Sequence, residues 1–536
     1  MAEKFNRATF TRSFLRHVTR IKAPDEMLAE AKEQGLEKTL GVWDLIILGV
    51  GAIIGSGIFA VVGIAAAGSA DGSSVGAGPA LIISMIIAAI ACIFSALCYS
   101  EFATMIPVAG GAYTYTFATL GEFAAWMVGW VLMLEYAIGF IAVACAWSNH
   151  FIQFLAGFEN VLPHWLAHPP AWLTHDIFSV GKMLAEDPNI YVPRILGIPI
   201  CINLPAILIV LLITAILVKG TKDSAKMAGV MVFIKLAVIA LFIFAGAFFV
   251  TPSNWTPFAP NGATGIFEGA FLIFFAYIGF DALATAAEEC KNPQKDLPIG
   301  IIGSLLVTTL VYVLVALVLT GLQKTSGGGV PRAFLDAPMA YCMLHTGQSW
   351  TTYISYLISI GSLAGLTSVL LVLEMAATRI LFAMSRDHFI SARFQKIHPK
   401  YKTPVLLTWT VGVLAVVGIL TLNVDVAAEL CNFGTFTSFI IVCIAVLILR
   451  HTDPDRPRPF KVPFSPITPA LGIICCGGLM IYKTVQSGSS ALLFPVWLGI
   501  GAIIYILYGF IKNRNNENKL HKEFVRSAQE TQEEIK

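Results

Sequence analysis

Residues 45–63 read LIILGVGAIIGSGIFAVVG. The run is uncharged and apolar on every face. With its flanks, residues 43–67, it is long enough to cross a hydrocarbon core of about 30 Å as a helix. Gly49, Gly51, Gly55 and Gly57 interrupt it, and they close in the run GAIIGSG. Glycine weakens a helix and frees backbone groups. Hydrocarbon does not tolerate unpaired backbone, so a break here must face a cavity or packed protein. A second such place, FFAYIGFDA at 274–282, centres on Gly279, 224 residues beyond Gly55. Two weak spots at matching places in two halves are the sequence pointer to a transporter built from inverted repeats. Taken alone, Gly51 and Gly55 also form a GxxxG pair, which serves close helix packing. A dinucleotide fingerprint is excluded, because GxGxxG needs a strand, a turn and a soluble βαβ unit, and Ile54 stands where the third glycine would fall.

Outward from this stretch the whole chain carries the same signature. Of its 536 residues, 57% are hydrophobic and 13% charged, about half the charge that covers a soluble protein. That excludes an ordinary cytosolic enzyme, a nucleic-acid binder and a disordered chain. Twelve apolar windows fit membrane helices: 43–67, 79–103, 123–150, 201–219, 227–250, 266–289, 298–322, 351–378, 404–422, 427–449, 467–486 and 492–511. The short alternating segments of a strand barrel are missing. With the N terminus inside, 29 of the 35 Lys and Arg fall on the inner side, five outside, and one, Lys235, within a span. The positive-inside rule therefore supports both the orientation and the even number of spans. A tail 1–40, a transporter domain 41–512 and a tail 513–536 follow. Within the domain, repeat one covers about 41–250, repeat two about 266–450, and the appended spans about 466–512.

The soluble segments offer little chemistry. Phe5 to Lys22 interleaves apolar residues with Arg7, Arg12, Arg16 and Arg20, which suits either a membrane-surface helix or a solvated basic tail. The N terminus lacks the pattern of a secretory signal. The ten cysteines are scattered without a CxxC pair; Cys201 and Cys342 are the two that an outside disulfide would join. The loop 151–200 holds His164, His168 and His175 without zinc-ligand spacing, and reads as an outside cap. No cofactor or metal is expected.

Ionisable side chains within spans carry more meaning, since each costs about 2.5–3.5 kcal/mol to insert. Lys235 lies about nine residues into span five, too deep to snorkel. A lysine buried there suits reversible protonation, or it forms a fixed ion pair with a carboxylate such as Glu135, midway along span three. Asp281 follows the second break. It either attracts a cationic side chain or caps the second half-helix. Glu374, five residues before Arg379, reads as half of an interfacial ion pair, and Glu101, Glu288 and Glu289 as solvated or paired with basic residues.

At this point the chain resembles a known family. The segments TLGVWDLIILGVGAIIGSGIFAVVG, SALCYSEFATMIPVAGGAYTYTFATLGE, GWVLMLEYAIG, FIKLAVIALFI, FFAYIGFDALATAAEECKNPQKDLPIGI and RILFAMSRD resemble the cationic amino acid transporter branch of the APC (amino acid–polyamine–organocation) superfamily, in its bacterial twelve-span form. The resemblance covers roughly residues 27–510. It implies an all-α membrane protein of twelve transmembrane helices, with a five-plus-five inverted repeat, broken first and sixth helices and two appended helices. It implies that the substrate carboxylate meets the first break at Ile53, Ser56 and Gly57. The α-amino group would meet the carbonyls of Phe275, Ala276 and Ile278, with Phe275 as an aromatic gate and Asp281 near the side-chain pocket. Lys235 matches a lysine that takes the place of sodium in sodium-coupled relatives, and Glu135 a glutamate that shares in proton coupling. Glu374 departs from the pattern, which expects Gly-Gln before the arginine of span eight.

The expected protein is therefore a secondary transporter and not an enzyme. It would import cationic or broad-range L-amino acids with protons by alternating access. A neutral amino acid permease and an amino acid/amine antiporter are the alternatives on the same fold. Its expected partners are an amino acid, protons and the lipid bilayer, with no nucleic acid. Its expected place is the cell inner (plasma) membrane, multi-pass, with both termini cytoplasmic.

Overall fold

The computed structural model describes residues 18–34, 38, 40–69, 72, 74–159, 161–186, 190–195, 198–326, 330–401, 403–422, 424–486 and 492–507. The basic stretch before residue 18 and the C-terminal tail lie outside these residues. Each of the twelve apolar windows corresponds to a helix. Span 1 is Val42–Ile53 continued by Gly57–Ala67. Spans 2 and 3 are Gly78–Met105 and Glu122–Ala156, span 5 is Met227–Ala247, and span 6 is Gly262–Thr285. Spans 7, 8, 10 and 11 are Pro293–Leu322, Ser349–Arg386, Glu429–Thr452 and Ile467–Gln486. Spans 4, 9 and 12 are the shorter apolar helices Leu204–Lys219, Val405–Thr421 and Leu493–Leu507. Between spans 3 and 4, the loop folds into short helices and a two-residue hairpin pairing Arg194–Ile195 with Ile198–Pro199.

Helix ends differ from the apolar windows for local reasons. Span 4 begins at Leu204 because Asn203 caps it, its side chain accepting from the Ala206 amide, with proline in the first turn. Span 8 runs eight residues past the window, to Arg386, because its charges find partners: Arg379 with Glu289 and Arg386 with Glu288. At 38 residues it is about 57 Å long, well beyond the hydrocarbon thickness.

The packing repeats itself under exchange of the two halves. Span 3 packs on spans 8 and 10, and span 8 on spans 3 and 5. Span 1 packs on span 7 as span 6 packs on span 2. Spans 2 and 7 contact each other, as do spans 4 and 9. This is the exchange that a repeat of five spans produces, and because five is odd the second copy enters from the opposite face. Span 11 packs on spans 2 and 10, outside the repeat.

One face gathers the N-terminal segment, the span 2–3 connection and the ends of spans 6 and 8. Lys22 Nζ meets Asp387 Oδ1 at 2.6 Å, and the Tyr113 hydroxyl donates to Asp387 Oδ2 at 2.6 Å. Burial and the Asp387 carboxylate hold the Tyr113 phenol well above the usual tyrosine value, so it stays a donor. Arg379 meets Glu289 at 2.5 Å, and Glu288 accepts from the Ala109 amide at 2.8 Å. Glu101 is bound by Arg450, Arg458 and the Val462 amide, which ties span 2 to the span 10–11 connection. The three acidic residues read as solvated or paired are thus all paired.

Glu374 is a correction. It is buried and makes no ion pair with Arg379; Thr214 of span 4 donates to its Oε1 at 2.7 Å. Arg379 pairs instead with Glu289, which offsets the burial of both charges. Cys201 and Cys342 are both free thiols, so the disulfide between them is not formed.

Candidate functional site

Span 1 breaks after Ile53. Ile54 turns extended (φ −73°, ψ 98°), and the two helical halves diverge by 43°. The second half opens with a π-helical turn, Gly57–Val61. Such a break strands polar backbone, and the structure accounts for most of it. Lys235 Nζ donates to Gly51 O at 2.7 Å, to Ile54 O at 2.6 Å and to Ser368 Oγ of span 8 at 3.0 Å. These acceptors use all three ammonium protons. Among the described residues no ion pair joins Lys235 to Glu135, so the fixed-pair alternative is set aside. The amides of Gly55 and Ser56 find no backbone acceptor within the described chain.

Span 6 breaks in the same layer. Its first half ends in a tight turn, Phe275–Tyr277, then Ile278 is extended and Gly279 takes φ +121°. That conformation favours glycine, and a Cβ there would also stand 3.0 Å from the Ala52 backbone. The breaks cross most closely at Gly57, where a Cβ would lie 2.1 Å from Ala276 Cβ and 2.3 Å from its Cα. Behind the crossing, the Tyr312 hydroxyl of span 7 sits 2.8 Å from Ala276 O and 3.0 Å from Ile53 O. One phenolic group thus pins both unwound segments.

A small cavity lies between the breaks and spans 3, 8 and 10. Ile53, Ser56, Gly57, Phe275 and Ile278, all singled out from the sequence, line it. Ala276 does not; it is turned to Gly57 and Tyr312. Neither do Lys235, Glu135 and Asp281. Asp281 is buried, accepting hydrogen bonds from the Tyr136 hydroxyl and from the Gly279 amide at 3.2 Å. It therefore braces the second break from behind. Glu135 is buried near Asp281 and Thr435, and among the described residues neither of its carboxyl oxygens accepts a well-formed hydrogen bond. Ala52 and Gly55 complete the side formed by span 1, and the facing wall is Gly139 and Val143 of span 3, Val369 and Leu373 of span 8, and Cys431 of span 10. Sequence reading missed this wall because apolar residues facing a cavity and apolar residues facing lipid look alike. It missed Tyr312 because a lone tyrosine in a span gives no signal.

In the loop between spans 3 and 4, His168 Nε2 lies 3.2 Å from Glu159, and the His164 and His168 rings are 5.1 Å apart. Among the described residues no group of three or more His, Cys, Asp or Glu is arranged to hold a metal.

Two crossed, interrupted helices, a small cavity between them and packing that repeats under exchange of five-span halves define a secondary transporter with its site at the bundle centre. Residues 40–508 match the family model described as amino acid permease, and the chain belongs to that family, within the APC superfamily. It is 40% identical over 490 residues to the methylthioribose transporter of Bacillus subtilis (strain 168), covering 91% of this chain and 97% of the relative. It is also 40% identical over 494 residues to the branched-chain amino acid permease BcaP of the same organism, covering 92% and 97%. To the chloroplastic cationic amino acid transporter 9 of Arabidopsis thaliana it is 36% identical over 421 residues, covering 78% and 67%. The protein is a multi-pass membrane transporter and not an enzyme.

Proposed function

We propose that the protein imports a neutral L-amino acid with an aliphatic side chain, moving it with protons by alternating access. One observation carries the substrate class. The cavity offers unpaired amides of Gly55 and Ser56 at one end, and every side chain that lines it is uncharged. Amides at a helix break suit a carboxylate. Among the described residues, the Ile278 carbonyl accepts no backbone hydrogen bond, which suits it to the α-ammonium. A lysine or arginine side chain would need a carboxylate in the wall, and Asp281 is engaged by Tyr136 behind the break. The relatives include both a branched-chain permease and cationic transporters, so the uncharged wall and not the relatives carries the choice.

Coupling rests on Lys235 and Glu135. The ammonium occupies a cluster of three oxygens, at the junction of spans 1, 5 and 8, that would otherwise suit a small cation. Loss of its proton would loosen the break that it holds. Glu135 lies buried beside Asp281 and Thr435, close to the breaks, where it can take up or release a proton. The ion pairs of the N-terminal face close one side of the cavity, and their release would open it. The basic residues gathered there make this the cytoplasmic face of a plasma-membrane protein, with the repeats at about 41–250 and 266–450 and the appended spans at about 466–512.

Uptake into proteoliposomes tests the reading. Labelled leucine, valine, alanine, lysine and arginine are compared with and without an inward proton gradient, with choline replacing sodium. Leucine and valine accumulation driven by the gradient is expected. Preference for lysine or arginine would overturn the substrate class, and strict sodium dependence would overturn the role of Lys235.

A further inference from the structure

We propose that Gly139 is a specificity-determining residue, and that the notch above it, closed by Leu373 and Cys431, receives one branch methyl of the substrate side chain. The proposal rests on the neutral aliphatic reading above and names the part of the cavity that selects within it.

The argument begins with why a glycine stands there. Span 3 is an unbroken helix over Glu122–Ala156, and Gly139 is in its middle with no left-handed φ. Glycine in a helix interior costs about 1 kcal/mol relative to alanine, so the position needs another reason. Close packing supplies that reason elsewhere. A Cβ at Gly49 would lie 2.5 Å from Ser304, at Gly55 2.6 Å from Val369, and at Gly129, also in span 3, 2.8 Å from Met384. At Gly139 it would lie 3.4 Å from Cys431 Sγ and 3.7 Å from Leu373 Cδ1, which is ordinary van der Waals contact. A methyl fits at this position, and neither the backbone nor the packing forbids it. All three residues line the substrate cavity.

The space above Gly139 admits a Cβ, is bounded by Cys431 and Leu373, and adjoins the cavity that all three residues line. Its chemistry is apolar: a Leu methyl, a thiol and the Cα of a glycine. The Cys431 thiol is itself occupied, donating to Glu135 O at 3.3 Å, so it presents sulfur rather than a hydrogen-bond donor. With the carboxylate anchored at the first break, the side chain is directed to the wall formed by spans 3, 8 and 10. A branched aliphatic chain places a methyl in the notch, whereas alanine is too short to reach it.

Gly139→Ala fills the notch from the protein side. One methylene in an apolar pocket is worth roughly 10–200-fold in discrimination. The test is uptake of labelled leucine, valine and alanine by proteoliposomes carrying the wild type, Gly139→Ala, or Gly478→Ala, where an added methyl meets nothing within 4 Å. Thermal unfolding of each detergent-solubilised protein is measured alongside. The expected result is that Gly139→Ala lowers the leucine-to-alanine ratio of kcat/KM at least tenfold, keeps alanine uptake and unfolds no lower than the wild type, while Gly478→Ala behaves as wild type. A wild type that transports no leucine or valine sinks the neutral aliphatic reading, and the notch with it. A wild type that does transport them, with an unchanged ratio in Gly139→Ala, sinks the notch alone. Equal loss of all three substrates in Gly139→Ala also overturns it, because the methyl would then act on the conformational cycle and not on selection.

Discussion

Replacing Lys235 with methionine keeps the apolar stem of the side chain and removes the ammonium with its three donors. The consequences follow from what each acceptor has left. Ser368 Oγ loses a donor but keeps its own bond to Gly365 O at 2.7 Å. Gly51 O retains the Ser368 hydroxyl at 3.3 Å, though that hydroxyl has one proton and a nearer acceptor. Ile54 O, released from Lys235 at 2.6 Å, retains nothing. An orphaned buried polar group costs about 1–3 kcal/mol, so one full orphan and one partial orphan amount to roughly 2–4 kcal/mol. This falls on the shape of the first break, where it lowers the share of molecules with a competent site by about 30- to 1,000-fold. Global stability falls by less, because removing a desolvated ammonium returns part of its burial cost. Lys235→Met is therefore expected to lose gradient-driven accumulation in proteoliposomes and to lower kcat/KM at least 30-fold in counterflow without a gradient, with only a modest drop in Tm. Accumulation at the wild-type rate with an unchanged Tm would refute the reasoning.

The other expectations concern the crossing, its brace and the closed face. Gly57→Ala places a methyl 2.1 Å from Ala276 Cβ and 2.3 Å from its Cα, so substrate binding measured by calorimetry is lost. Adding Ala276→Gly does not restore it, since the Cα remains. Asp281→Asn leaves one acceptor oxygen where Tyr136 and the Gly279 amide each use their own; the brace weakens for every substrate, so uptake of lysine and leucine should fall by the same factor, and selective loss of lysine would return Asp281 to the substrate pocket. Asp387→Asn removes the ion pair to Lys22, a change worth about 3–5 kcal/mol for a buried pair. A Ser56→Cys reporter should then react faster with a thiol reagent added from the N-terminal face, and an unchanged rate would show that this pair does not hold the face shut.

The legibility of the site in the sequence depended on the kind of signal. Gly55 and Gly279 were visible because glycine inside an apolar span contradicts its surroundings. Ile53, Ser56, Gly57, Phe275 and Ile278 could be placed at the cavity through the family resemblance. Lys235 was visible as a charge where charge is costly, yet its partners were not, because they are backbone carbonyls, which every residue carries. Glu374 misled for a related reason. Its nearest basic residue in sequence, Arg379, lies more than a helical turn away, and Thr214 approaches from another span. Gly139 looked like any small residue in a helix, and only its distances to Cys431 and Leu373 distinguish it from the packing glycines.

By itself, the sequence located the twelve apolar windows that become helices, the segments where Lys and Arg gather, and the two places where helices fail. All of these follow from one-dimensional quantities: the length of apolar runs, the placement of Lys and Arg, and glycine out of context. Tertiary structure alone decided which groups meet at the breaks. It gave Lys235 to span 1, Asp281 to Tyr136 and the wall facing the breaks to uncharged residues of spans 3, 8 and 10. The physical reason is that hydrocarbon prescribes apolarity for every lipid-facing residue and leaves the inward faces free, so the choice among inward-facing partners is made only when the helices pack.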